Sequence, residues 1–465
     1  MASVMLRPDV AAPHNVVRDG GRLVVQTWLF TRLLLVGVAL WVGITTGRSA
    51  GDMLANWDVQ HYFDIARYGY VADNDIAFFP GWPLVLRGFW LLGIPMLWAG
   101  VAVAVICSGF AAAALHRLGG PVAAVVWLLA PTTVFTFVPY TEAPFCAAAF
   151  WAWERAKAGR WGAAATLAAL ACTLRVSGLF LLGALVILAL TEAGRARAPA
   201  HPAAVPNARQ PWRWPWLRVT RPLTQAGRSG VRWPWRRAVV QSSWPAQPTP
   251  RDASSWPAQQ RPQTWQGNSP AWAAARTGAR RLATDPRVRA LAWLTIPALT
   301  LFCYIAYLYN LTGDWNAWYR AQSTGWPRGF TWPWVSLQHT IEAATSTAYP
   351  AFPEWSWVFR AEIASMVLGI VVTVVCLSRQ RWGEAFWVGI QVLAFSCSYW
   401  FLSVNRAVLL WFPLFILIGE ALSGGWDVAP GRRRLRILLT IACFVGAGIV
   451  LCFWAWLFFT GRWAS

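Results

Sequence analysis

Apolar runs alternate with short polar breaks along most of the chain, and the length of each run decides its reading. A crossing of about 30 Å of hydrocarbon needs roughly 20 apolar residues. Leu23–Thr46 meets that length, interrupted only by Arg32, which is placed to snorkel towards a headgroup region. The polar loop 47–80 follows. Gly81–Leu92 is then too short and too closely flanked by proline for a clear crossing, and reads as interfacial or re-entrant. Ile94–Leu115 crosses back. Pro121–Pro139 and Thr141–Trp153 form a hairpin about Tyr140-Thr141-Glu142, closed by the basic turn Arg155–Arg160. Further on, Leu291–Asn310 and Ala361–Leu377 flank a long aromatic loop, 310–360. Ala385–Leu402 and Ala407–Leu422 make a hairpin turning at Ser403-Val404-Asn405-Arg406, and Ile437–Phe459 is the final span.

One run does not fit a single crossing. Trp161–Leu190 is broken at Arg175-Val176-Ser177-Gly178, and as one span it would put the arginine-rich 193–289 segment outside, against the positive-inside bias. Two short segments meeting at Arg175 restore the parity, and irregular backbone at that depth is tolerated only where it lines a cavity. The pattern therefore predicts an all-α polytopic membrane protein of about eleven crossings, with the N-terminus inside and the C-terminus outside. Its parts are a cytoplasmic tail (1–22), an N-terminal membrane region (23–192) with an outer loop (47–80), an insert (193–289), and a C-terminal membrane region (290–465) with a second outer loop (310–360). Cleavage at the N-terminus is not expected, because the first span exceeds the apolar core of a signal peptide.

Composition sharpens this. Hydrophobic residues make up 57% of 465 positions and charged residues 13%, half the charge of a soluble domain. The net charge of +21 is concentrated: residues 193–289 hold 17 Arg against two Asp, with Pro, Trp, Gln and Ser and no apolar period. That composition predicts a disordered cytoplasmic segment resting against anionic lipid rather than a nucleic-acid-binding fold. One Lys against 39 Arg suggests a high-GC bacterial genome, hence a bacterial plasma membrane, or the endoplasmic reticulum were the source eukaryotic. The eight cysteines fall in apolar runs without a CxxC pair and read as small buried hydrophobes.

Polar residues on the outer side form a short set. Asp58, His61 and Asp64 recur every third residue, which places them near one face if 58–68 is a surface helix. Glu142, Arg175, Gln322, Arg328 and Arg406 are the other candidates, and arginine at membrane depth normally faces a partner or a pathway. Asp73-Asn74-Asp75 is most simply a polar turn, and it is also the one place where a divalent metal could be held; no other cofactor is expected. A carboxylate to take a hydroxyl proton and guanidiniums to hold a phosphate would suit transfer from a lipid-linked phosphosugar.

The segment WDVQHYFDIARYGY (57–70) followed by AFFPGWP (77–83) resembles the first outer loop of PIG-V-type mannosyltransferases of the GT-C class. PYTEAPF (139–145), Leu174-Arg175 with Gly178, Ala321-Gln322 with Trp326 and Arg328, and Arg406 with Trp411–Leu414 resemble later motifs in the same order. Where the family has Thr before the arginine, this chain has Leu174. The resemblance implies a GT-C-like bundle with outer-face catalytic loops and an inverting transfer of mannose from polyprenyl- or dolichyl-phosphate-mannose to a lipid-linked glycan. It also implies a catalytic Asp, here Asp58, while the insert 193–289 has no counterpart. Transfer of another sugar from its polyprenyl phosphate, a lipid-linked sugar transporter and a non-catalytic membrane subunit are the competing readings. A transporter should show repeat symmetry between halves, and none is visible. A subunit leaves the arginines at membrane depth unexplained.

The topology is testable by single-cysteine labelling. An impermeant reagent applied to intact cells should modify positions in 47–80 and 310–360. It should spare 155–160, 193–289, 379–381 and 432–436. Labelling within 193–289 would invert the assignment.

Overall fold

The apolar runs fold as helices, because a backbone in hydrocarbon must satisfy its own hydrogen bonds. The computed structural model describes residues 13–192, 285–326, 328–345, 347–423 and 430–464. The first part holds α1 (Pro13–Thr46), α2 (Ala50–Leu54), α3 (Asp58–Tyr68), α4 (Gly81–Leu91), α5 (Met96–Leu128), α6 (Glu142–Lys157), α7 (Trp161–Leu174) and α8 (Ser177–Glu192). After the insert come α9 (Pro286–Thr312), α10 (Ala317–Gly325), α11 (Pro333–Ala343), α12 (Glu354–Ser378), α13 (Trp382–Ser396), α14 (Val404–Ala407), α15 (Phe412–Ser423) and α16 (Pro430–Phe459).

Among the described residues five helices are long and apolar enough to cross a membrane, or six if the bent pair 404–410 and 412–423 counts as one span. The expected count of about eleven is thus not reached on length. Helices α7 and α8, with 14 and 16 residues, fall short of about 20 because the chain breaks them at a buried polar tip. Apolar side chains such as Ile44 (84% exposed) and Leu33 (70%) lie on the outside of the bundle, where lipid rather than water would meet them. Two boundaries differ from the expectation. Helix α1 reaches back to Pro13, into the stretch read as a tail, and α9 begins at Pro286, inside the stretch read as insert. Asp285 caps α9 by accepting the amide of Arg287 at 2.8 Å, and Pro286 at the first position suits a helix start. The segment 193–284, expected to be disordered, lies outside the described residues.

A single glycine reverses the chain inside α5. Gly120 has φ 81° and ψ 179°, a conformation open to glycine, and Pro121 follows it. Gly20 of α1 packs against both His116 and Pro121, while Arg32 reaches Ser108 (3.4 Å) and also Thr136 (2.9 Å). Both contacts from one arginine require residues before and after Gly120 to run past α1 in opposite directions. Helix then gives way at Leu128 to a 3₁₀ turn, Thr133–Thr136, short of the expected Pro139.

The bundle has two unlike ends. At one, carboxylates and cations interlock: Glu420 pairs with Arg379 (2.7 Å) and Arg381, Lys157 with Glu192 (3.5 Å) and Glu384 (3.7 Å), and Arg117 with Glu154 (2.7 Å). The start of α9 lies there too, since Trp293 packs beside Gly162 at the start of α7. Both sides of the insert thus attach to this basic end. The other end carries α2, α3, α4, α10 and α11.

The run 161–190 splits at Arg175 and Val176, and α7 and α8 return to the same end. A side chain at Gly178 would stand 2.5 Å from the Cα of Cys172, so only glycine lets the two helices meet so closely. Replacing Gly178 with valine should cost about 1–3 kcal/mol by forcing the α7–α8 tip apart. Thermal melting in detergent reads that loss, and an unchanged melting temperature would contradict the close approach.

Candidate active site

The residues that carry charge at the second end come from five separate stretches and converge. Asp58 is the first residue of α3 and follows Trp57, whose backbone sits at φ 58°, ψ −122°. Non-glycine residues rarely take that conformation, and it persists only when the surroundings hold it. Asn56 helps: its side-chain amide donates to the carbonyls of Met53 (3.0 Å) and Phe458 (2.8 Å), fastening the loop to the end of α16. Arg406 arrives by a similar device. Ser403 is left-handed (φ 66°, ψ 20°), and the buried carboxylate of Glu362 accepts the amides of Ser403 (3.1 Å) and Asn405 (3.0 Å) to start α14.

The Arg406 guanidinium donates to Asp58 Oδ2 at 2.8 Å and its Nε stands 3.1 Å from Glu142 Oε1. Glu142 is fully buried and shares the same oxygen with Arg175 at 2.5 Å; Arg175 also donates to the Thr141 hydroxyl at 2.8 Å. The rings of Phe135 and Tyr140 flank Arg406 at 5.4 and 5.3 Å. Removing ions from water costs several kcal/mol each unless they are paired in good geometry, and this cluster pairs all four. Asp58 Oδ1 and Glu142 Oε2 accept no hydrogen bond among the described residues. Burial first, then repulsion from Arg406, lowers the Arg328 guanidinium to about 10, still charged near neutral pH. The carboxylates of Asp58 and Glu362 act on Arg328 in the opposite sense, so three guanidiniums share the surroundings of three carboxylates, Asp58, Glu142 and Glu362.

These groups line a cavity of about 340 Å³ together with Trp57, Tyr62, Phe78, Trp318, Gln322 and Trp326. Of the expected residues, Asp58, Arg175, Gln322, Arg328 and Arg406 line it, and Glu142 lies behind Arg175 and Arg406. Gln322 also holds the loop after α3: its amide and the Trp318 indole both donate to the Ala77 carbonyl, at 3.2 and 3.1 Å. Tyr304 donates to Phe78 at 3.0 Å from α9.

His61 and Asp64 do not join the cavity lining. A helix turns 100° per residue, so position 64 lies about 120° around from position 58. Asp64 is accordingly exposed on the far side of α3. His61 stands 3.1 Å from Asp75 and stacks on Phe78 at 4.8 Å, bracing the loop. The Asp73/Asp75 pair is split: Asp75 is buried against His61 and Asp73 is exposed. Among the described residues no group of three or more His, Cys, Asp or Glu side chains gathers to hold a metal. Residues not anticipated are Tyr62, whose hydroxyl lies 3.5 Å from Thr141, Thr141 itself, and Glu362. A buried Tyr four residues after Asp58 looks in sequence like ordinary core.

Arg406→Met should leave Asp58 without its partner and Glu142 with Arg175 alone, and should destabilise the protein by about 3 kcal/mol. Adding Asp58→Asn to that variant should recover part of the loss, because the two groups share one interaction. Melting of the single and double variants in detergent gives the comparison. Strict additivity would mean the ion pair carries no coupling.

No family model matches the chain, and no solved structure matches it. Among curated proteins it is similar to GPI alpha-1,6-mannosyltransferase 2 of Rattus norvegicus. That relative is 36% identical over 156 residues, which cover 29% of this chain and 31% of the relative. The proteins of the same name from Mus musculus and Homo sapiens are 34% and 33% identical over 152 residues, with the same coverage of 29% and 31%. The chain therefore spans under a third of the length of these relatives. All are mammalian and lend no support to a bacterial origin.

Proposed function

We propose that the chain is an integral membrane hexosyltransferase that moves mannose, the sugar in the name of its curated relatives, from polyprenyl- or dolichyl-phosphate-mannose to a lipid-linked glycan. The observation that carries this reading is the convergence of Asp58, Arg175, Arg328 and Arg406 on one cavity at the end of an apolar bundle. Guanidiniums match the oxygens of a phosphodiester in pairs. A lipid-borne donor accounts for the hydrophobic scaffold.

In this mechanism a hydroxyl oxygen of the acceptor forms a bond to C1 of the mannose. The bond from C1 to the phosphate oxygen breaks, and its electron pair leaves with the lipid phosphate. Arg175, Arg328 and Arg406 stabilise the charge gathering on that phosphate. Asp58 takes the hydroxyl proton on the face of the sugar opposite the phosphate, so the transfer inverts C1. Arg406 holds Oδ2 of Asp58, which leaves Oδ1 for the proton. His61 and Gln322 act by fixing the loop 72–80 that walls the donor side.

The same reading takes the chain across the bilayer eleven times, counting the reversals at Gly120 and Arg175 as turns between crossings. The ion-paired end then faces the cytoplasm and the cavity faces out. A bacterial plasma membrane follows from the arginine-rich composition, and an endoplasmic reticulum membrane would serve the same chemistry.

Purified protein incubated with radiolabelled polyprenyl-phosphate-mannose and a membrane lipid extract should yield a labelled lipid-linked glycan. Asp58→Asn keeps the shape and removes the base, so turnover should fall by roughly 10²–10⁴ while donor binding survives. Normal turnover in Asp58→Asn would move the base elsewhere. Labelled product with a polyprenyl-phosphate-linked pentose or glucose instead would change the donor and leave the chemistry.

A further inference from the structure

Helix α11 has the reverse of the burial pattern that a helix facing water adopts. Its packed side is small or polar: Ser336 and Thr340 are fully buried, with Ala343 beside them. On its outer side Trp334 is 66% exposed and Ile341 51%, with Leu337 between them. At 100° per residue, positions 334, 337 and 341 fall within about 60° of one another and make one strip. Beside that strip, also exposed, Gln338 donates its amide to Glu342 Oε1 at 3.0 Å and the pair forms a polar strip. The apolar strip runs back into Phe330 and Trp332, both exposed, whose rings meet Trp334 in series with centroids 5.4 and 5.1 Å apart. From 329 to 341 there is no Asp, Glu, Lys or Arg. A contiguous apolar surface of this kind marks an interaction site.

We infer that α11 lies along the bilayer surface at the cavity end, with the strip of Trp334, Leu337 and Ile341 in lipid and Gln338 and Glu342 in water. Three observations favour a lipid surface as the partner. With 11 residues the helix is too short to cross the bilayer. It packs at the start of α12, where Arg360 Nε donates to the Ala344 carbonyl at 3.1 Å, and α12 is long and apolar enough to cross. A helix at the end of a span lies at the depth of the headgroups, and its apolar strip continues the lipid-facing outside of the bundle. Finally, the exposed side is divided lengthwise into an apolar and a polar strip, as in a helix half immersed in lipid, and tryptophan gathers at that level.

The inference does not depend on the transferase reading, but it bears on how the cavity is reached. The Thr331 amide donates to the Cys397 carbonyl at 3.0 Å and the Phe401 amide to the Thr340 hydroxyl at 2.9 Å, which ties α11 to the segment leading into Arg406. Trp400, Leu402 and Ser403 of that segment line the cavity. With α11 seated in the interface, the cavity is held near the depth of lipid phosphates. Positions 334, 337 and 341 are then the part of the loop 310–360 that water does not reach.

Site-directed spin labelling of the full-length protein in lipid nanodiscs tests this. Cys303 and Cys443, the two exposed native cysteines, are first changed to serine, and the signal of that parent is subtracted. Nitroxides are then attached in the single variants Leu337→Cys and Ile341→Cys on the strip, and Gln338→Cys and Glu342→Cys beside it. Oxygen concentrates in lipid and a nickel chelate stays in water, so the ratio of their collision rates reads immersion. That ratio should be about tenfold higher at 337 and 341 than at 338 and 342. Frequent nickel collisions at 337 and 341 would place the strip in water and overturn the inference. Few collisions with either reagent there would mean that protein covers the strip, such as a second copy of the chain, and would overturn it equally. All four positions are exposed, so the packed side of α11 is untouched, and two positions on each strip keep the comparison decisive should one variant fail to fold.

Discussion

Arg406 is the interaction on which the rest depends. One guanidinium bridges Asp58, at the start of α3, and Glu142, at the start of α6, and Glu142 passes the connection to Arg175 at the α7–α8 break. Four charges brought out of water are unfavourable singly and tolerable only together. The turn at Ser403, the break at Arg175 and the loop at Trp57 can then be seen as three backbone irregularities that satisfy one another. An apolar bundle without this cluster would have no reason to interrupt three helices at the same depth.

How much of this could be read from sequence depends on the contrast between a residue and its surroundings. Arg175 and Arg406 stood out because a charge in a long apolar run has few explanations. The same contrast located the α7–α8 break before any coordinates. Asp64 misled, because equal spacing along three residues suggests one face, whereas 100° per residue carries the third member away from the first. The role of Gln322 was half legible: its place at the cavity is visible in the motif, but its bond to the Ala77 carbonyl is a property of the folded loop. The aromatic lining of the cavity was not legible at all. Trp355, Trp400 and Trp463 lie scattered over more than a hundred residues in a chain with 35 tryptophans, so nothing marks these three.

The two ends of the bundle use charge differently. At the basic end, pairs such as Arg379–Glu420 and Lys157–Glu192 neutralise one another in side chains that are partly exposed, and each contributes little alone. At the cavity end the charges lie deeper, with Arg406 paired to Asp58 and Glu142 and with Arg328 in the field of Asp58 and Glu362.

The backbone of Trp57 has a further consequence. A left-handed residue with a large side chain costs on the order of 1–3 kcal/mol, and here it lies directly before the residue assigned as base. Glycine at that position would relax the turn, so the folded chain would gain stability as Asp58 lost its fixed aim. On the proposed transferase reading, robustness and catalytic competence pull in opposite directions at position 57. A lineage selected for endurance alone would drift towards glycine there, and one held to its chemistry would keep the strain.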